Sequence, residues 1–202
     1  MRAISWRPRF RRRRTARQNP MQPHRFTIDD YHRMSEAGIL GPEDRVELVR
    51  GEVVEMTPIG SPHSGCVLRL NRLLARAVGE RAIVGIQSPI TMSEHSELQP
   101  DVFLARPRAD DYTQTHPRPD EILLLIEVAD TSIAHDREVK LPLYAEAGIA
   151  EVWLVDLNTC TVDVCREPAG SIYGKVRRAR IGHELTPLAF PDLTVRVAAF
   201  LG

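Results

Sequence analysis

The sequence predicts a mixed α/β fold, a β-sheet flanked by helices. Three observations lead there. Apolar residues repeat at helical spacing from Val67 to Val78, and beyond them the apolar runs become short and rich in β-formers. The run Ile122–Ile126 is apolar at every position, as a central strand covered on both faces requires. A helical stretch ending at Gly148 separates it from the apolar Val152–Val155, the order of a strand, helix, strand crossover. With 202 residues, 43% of them hydrophobic, the chain supports one well-buried core, so residues 21–202 are expected to form a single domain.

In chain order, the first expected helix starts behind Phe26. Thr27 is a good N-cap, Asp29 and Asp30 suit the positive helix end, Phe26 is placed to staple onto Tyr31, and Gly38 closes the helix. Val46 to Met56 reads as two strands around a tight Arg50-Gly51 turn. Ser61-Pro62 opens a second helix, with Val67, Leu70, Leu73, Leu74, Ala77 and Val78 on its apolar face until Gly79; Arg69, Arg72 and Arg76 fall on the opposite, wet face. Ala82–Met92, Val102–Ala105, Ile122–Val128 and Val152–Val155 are the expected sheet strands, and Thr161–Cys165 with Val176–Ile181 forms a hairpin around Gly170 and Gly174. Pro142 conflicts with a helix from Asp136 to Ala147 unless that helix starts near Lys140.

Charge is unevenly spread. Eight arginines (Arg2, Arg7, Arg9, Arg11, Arg12, Arg13, Arg14 and Arg17) precede Met21, in a stretch free of Asp and Glu. The remainder carries 19 basic against 27 acidic residues, a net −8, which argues against a broad nucleic-acid-binding surface. Residues 1–20 read as a disordered basic arm or as a consequence of start-site choice, with Met21 as the alternative start. No run of roughly 18 apolar residues exists to span a bilayer and no secretory signal precedes the body, so a soluble, cytoplasmic protein is expected. Cys66, Cys160 and Cys165 are spread without CxxC spacing, which argues for reduced, structural thiols, and the seven histidines show no zinc-helix pattern.

Glu127 interrupts the most hydrophobic strand, where an unpaired carboxylate is costly, so a cation is expected to meet it. Asp101 opens another strand 26 residues earlier, and two carboxylates at neighbouring strand ends make a hard-oxygen site for Mg²⁺ or Mn²⁺. A strand-end acid paired with arginine is the plainer reading of either residue alone. Lys140 and Lys175 are the only lysines among 27 basic residues. A compact ammonium suits positioning or deprotonating a water beside a metal, although a solvated helix position is the common fate of a lysine.

Taken together, Glu47-Leu48-Val49-Arg50-Gly51-Glu52, His63 opening a helix, Pro100-Asp101-Val102, Ile126-Glu127-Val128, the Asp136, Lys140, Tyr144 spacing with Gly148-Ile149, and Glu151-Val152-Trp153-Leu154-Val155-Asp156 resemble the Uma-two family within the PD-(D/E)xK nuclease superfamily. No single piece is specific; their order and spacing from about Phe26 to the C-terminus are. The resemblance implies a restriction-endonuclease-like mixed β-sheet flanked by helices. It implies that Asp101, Glu127 and Glu47 ligate Mg²⁺ or Mn²⁺ and that Lys140 serves the attacking water, with DNA as the substrate. The superfamily's lysine two residues after the glutamate falls on Ala129, so Lys140 stands in from the following helix. Asp136 is expected to cap that helix and orient Lys140, and His63 to approach the scissile phosphate. The Pro-Asp pairs at Asp120 and Asp192 do not fit the spacing. Two other functions stay open: an inactive interaction protein that keeps the fold, and a metal-dependent hydrolase of RNA or another phosphate ester. Double-strand cleavage by a chain with one site is simplest in a homodimer.

Overall fold

The computed structural model describes residues 22–202, so the expected basic arm at 1–20 and the alternative start at Met21 lie outside the described residues. Twelve strands and five α-helical segments follow along the described chain: α1 (Ile28–Glu36), β1 (Val46–Val49), β2 (Glu52–Glu55), α2 (Ser61–Val78), β3 (Ile83–Ile86), β4 (Ile90–Ser93), β5 (Ser96–Leu98), β6 (Val102–Ala105), β7 (Ile122–Ala129), α3 (Ile133–His135), α4 (Leu141–Glu146), β8 (Glu151–Asp156), β9 (Thr161–Ala169), β10 (Ile172–Arg180), β11 (Glu184–Leu185), β12 (Val195–Arg196) and α5 (Ala198–Leu201). A single π-helical turn, Asp136–Lys140, joins α3 to α4.

The principal sheet has the order β10-β9-β8-β7-β6-β3 and is antiparallel except for the β7/β8 pair. Only that pair needs a crossover, which the 133–146 helical segment supplies. One face of the sheet packs on α2 and α5 through Leu70, Leu74, Leu124, Ile126, Trp153 and Phe200. The other buries Leu125, Val152 and Cys165 against Leu143 and Tyr144 of α4 and against the smaller sheet β2-β1-β5-β4. The predicted α/β class is therefore the observed one. No helix among the described residues is long and apolar enough to cross a membrane.

Local signals explain most elements. Thr27 caps α1 in a reciprocal capping box with Asp30, and Phe26 packs on the small cluster around Tyr31. Arg50 (φ 51°) and Gly51 (φ 78°) form the tight β1/β2 turn, which needs two positive φ values. Other expectations are corrected. Ala82–Met92 is not one strand: Gln87, at φ 44°, breaks it into β3 and β4, which join different sheets. The three-residue β5 was not expected, because Ser96-Glu97-Leu98 is too short and polar to show a pattern. The β9/β10 hairpin is longer than predicted and turns at Gly170 alone, with Gly174 inside β10. Arg69 is not on a wet face; its Nε donates to the Phe200 carbonyl at 3.0 Å. Cys66 and Cys165 are buried free thiols, as expected of structural cysteines, but Cys160 is exposed.

Gly85 faces Phe103 directly across the β3/β6 pair, and a Cβ built there would lie 2.0 Å from the Phe103 ring. Gly85→Ala is therefore expected to destabilise the fold by about 1–3 kcal/mol through overpacking, read as a lower urea midpoint at unchanged slope. An unchanged midpoint would show that the ring yields without cost.

Candidate active site

The β6/β7 register pairs Val102 with Ile126, which sets Asp101 opposite Glu127 at one end of the principal sheet. Asp101 N donates to Glu127 Oε2 at 3.3 Å, and Val128 N donates to Asp101 Oδ2 at 2.9 Å. The break that ends β3 contributes here as well, since the Gln87 side-chain amide donates to Asp101 Oδ1 at 3.3 Å. His63, in the first turn of α2, lies with Nε2 3.0 Å from Asp101 Oδ2. That hydrogen bond raises the His63 pKa above its ordinary value against the opposing effect of burial. Its other ring nitrogen, Nδ1, is buried with no hydrogen-bond partner.

Glu47 enters from β1 of the smaller sheet, with Oε1 accepting from Gln99 N at 2.7 Å and from Lys140 Nζ at 3.0 Å. Lys140 Nζ also lies 3.3 Å from Glu127 Oε1. The expected cation for Glu127 is thus Lys140, and the solvated reading of this lysine is excluded by its 6% exposure. Burial alone works to lower the Lys140 pKa, but Glu127, Glu47 and Asp136 outweigh it and hold the ammonium charged. Glu127 is in the converse position. Burial pushes its carboxyl well above the usual range, Lys140 opposes this, and Asp101, Asp136 and Glu47 add to it.

The conflict posed by Pro142 resolves through the π turn. Leu141 N donates to the Asp136 carbonyl five residues back, and Pro142 follows in the first turn of α4. The helical segment therefore begins at Ile133, before Lys140, and the wide turn carries Lys140 inward to the carboxylates. Asp136 does not cap this helix. Its side chain accepts from Ser132 Oγ at 2.6 Å and faces the same cavity, and burial raises its pKa.

Two supporting residues had no role assigned from sequence. Tyr144, fully buried, donates its hydroxyl to Glu127 Oε1. Its signal was available, because it follows Lys140 by four residues and so shares a helix face with it. Gln87 had none, because a polar residue between two strand-like runs announces no contact. Asp120 and Asp192 are exposed and lie outside the cavity, and Asp192 pairs with Arg81.

Asp101, Glu127, Glu47, Lys140, His63 and Asp136 all line one open cavity of about 240 Å³. Its chemistry suits a hard divalent cation, since five carboxylates, those of Glu47, Glu55, Asp101, Glu127 and Asp136, line it. They are not drawn around a common point: among the described residues, no three His, Cys, Asp or Glu side chains are grouped so as to hold a metal ion.

Residues 28–198 match the model of the Uma2 family, whose description reads "Putative restriction endonuclease". The chain belongs to the Uma2 family. Among solved structures, this Uma2 chain is similar to a crystal structure described as a "putative nuclease belonging to DUF820" from Anabaena variabilis ATCC 29413, with TM-score 0.69 and 15% identity over 87% of this chain and 97% of that one. At that identity the likeness concerns the fold, a mixed sheet flanked by helices as expected. No curated protein matches.

Proposed function

We propose that this Uma2 protein is a metal-dependent endonuclease that hydrolyses DNA phosphodiester bonds, with Asp101, Glu127 and Glu47 holding Mg²⁺ or Mn²⁺. The observation that carries the reading is the convergence of Asp101, Glu127 and Lys140, from two strands and a π turn, on one polar cavity. A cation bound there would polarise the phosphate and acidify a bound water.

The chain's own residues divide the remaining work. Lys140, 3.0 Å from Glu47 and 3.3 Å from Glu127, orients the attacking water and offsets developing negative charge. Tyr144 fixes one oxygen of Glu127, while Gln87 and the Val128 amide fix Asp101. His63 positions Asp101 through Nε2, within the cavity that the scissile phosphate would enter. DNA, rather than RNA or a smaller phosphate ester, is proposed from the family's description as restriction endonuclease.

The rival reading, an interaction protein that keeps the fold without the activity, draws on one observation: the carboxylates are not grouped about a metal position. Thermal unfolding in Mg²⁺ and Mn²⁺ separates the two. Saturating metal at about 100 times its Kd should stabilise the wild type by about 2.7 kcal/mol, and Asp101→Asn should show no such rise. A wild-type transition indifferent to both metals would favour the rival.

A further inference from the structure

We propose that Arg45 is the phosphate anchor of this site, gripping a backbone phosphate of the nucleic acid beside the one that reacts. The inference rests on the nuclease reading and adds a substrate-binding residue to it.

The cavity sets a problem for a polyanion, since Glu47, Glu55, Asp101, Glu127 and Asp136 all line it. Four basic side chains share the wall: Arg45, His63, His135 and Lys140. Lys140 is committed to Glu47 and Glu127, and His63 to Asp101. Arg45 alone is permanently charged and, among the described residues, forms no carboxylate pair. Its one side-chain hydrogen bond runs from Nη1 to the Thr57 carbonyl at 3.3 Å, which leaves most of its five donors available. Exposed arginines without an acid partner also occur elsewhere among the described residues, Arg72, Arg76, Arg177 and Arg196 among them, but Arg45 is the arginine that lines this cavity.

Placement adds to this. Arg45 extends the β1/β2 ladder by one residue, with Met56 N donating to its carbonyl at 2.8 Å. It stands two residues before Glu47, so both side chains leave the same face of the strand, about 7 Å apart at their backbones. One reaches the carboxylate cluster and the other the exposed rim. A planar guanidinium binds two phosphate oxygens at once, which a lysine does not.

The test measures binding of a short labelled DNA duplex to the full chain in Ca²⁺ over a salt series, beside plasmid nicking in Mg²⁺. Arg45→Ala should weaken binding ~10-fold, and should flatten the slope of log K against log salt by ~0.9. Arg45→Lys should keep the slope and recover only part of the affinity, since charge is retained and the fork is lost. Lys175→Ala, which removes one charge at the opposite end of the principal sheet, should leave the slope as it is. Wild-type protein that binds and nicks, with Arg45→Ala equal to it in slope and affinity, would overturn the anchor and leave the nuclease reading standing. Wild-type protein that neither binds nor nicks would remove both. Displacement of the duplex by equimolar inorganic phosphate would also overturn the anchor, because the ligand would then be a free anion.

Discussion

Lys140→Met should destabilise the protein by about 3–5 kcal/mol and abolish plasmid cleavage, because it leaves two buried carboxylates without their shared cation. Glu47 and Glu127 are 3% exposed each, and Lys140 lies 3.0 Å and 3.3 Å from their Oε1 atoms. The cost should depend on pH with a definite sign. Burial already raises the Glu127 pKa above its ordinary 4.5, and loss of the ammonium raises it further. A carboxyl whose folded pKa is raised destabilises the fold above its unfolded pKa and ceases to do so once protonated. The penalty in Lys140→Met should therefore grow as pH rises from 4.5 towards the raised value, and shrink on acidification. Adding Glu127→Gln in the same chain should recover part of the stability but none of the activity. Urea denaturation across pH reads the first effect and plasmid cleavage the second. Wild-type stability in Lys140→Met at every pH would mean that the ammonium is not shared in this way.

Glu151→Ala should be comparably damaging for a reason unconnected with catalysis. This carboxylate is fully buried at the start of β8. Its Oε1 accepts from Trp153 Nε1 at 2.9 Å and from Arg166 Nε at 2.9 Å, and its Oε2 accepts from Leu188 N at 2.6 Å. Arg166 in turn donates to the Thr186 carbonyl at 2.6 Å, so the acid clasps the segment leading to β12 and α5 onto the principal sheet. Truncation strands a partly buried guanidinium, an indole N–H and an amide, for about 3–5 kcal/mol. Glu151→Gln should lose less, since it keeps an acceptor. A urea midpoint for Glu151→Ala within error of the wild type would show that the C-terminal segment is held by its apolar contacts alone.

These two acids illustrate what the sequence made legible. Glu127 was conspicuous because a carboxylate inside Leu123–Val128 demands a partner, and the demand was met by the lysine expected from the following helix. Glu151 looks the same in kind, yet it stands at the head of its apolar run, where an exposed strand-end acid is the ordinary expectation; apart from Trp153 in its own strand, its partners come from β9 and from the loop before β12, which no local pattern connects to it. The fold followed readily where periodicity and turn chemistry agreed, as at Thr27, Arg50-Gly51 and the β7 to β8 crossover. It failed where a single dihedral decided the matter. Gln87 at φ 44° splits one apolar run between two sheets and brings its own amide to Asp101. The π turn was equally hidden: Pro142 signalled a conflict within the helix, but only tertiary packing of Lys140 and Tyr144 against Glu127 shows how it is relieved. The ligand role proposed for Glu47 came through the family resemblance, since a glutamate in a short hairpin strand otherwise suggests solvent.

Metal-dependent hydrolysis at this site is decided by cleavage of supercoiled plasmid by the purified full chain with Mg²⁺, Mn²⁺ or EDTA, beside Asp101→Asn and Glu127→Gln prepared identically. The wild type should nick in a metal-dependent way, silenced by EDTA and reduced at least ~10²-fold in both variants, as expected when a group that stabilises transition-state charge is removed. Nicking of equal rate in all three proteins, or none in the wild type with either metal, would mean that Asp101 and Glu127 do not form a nuclease centre.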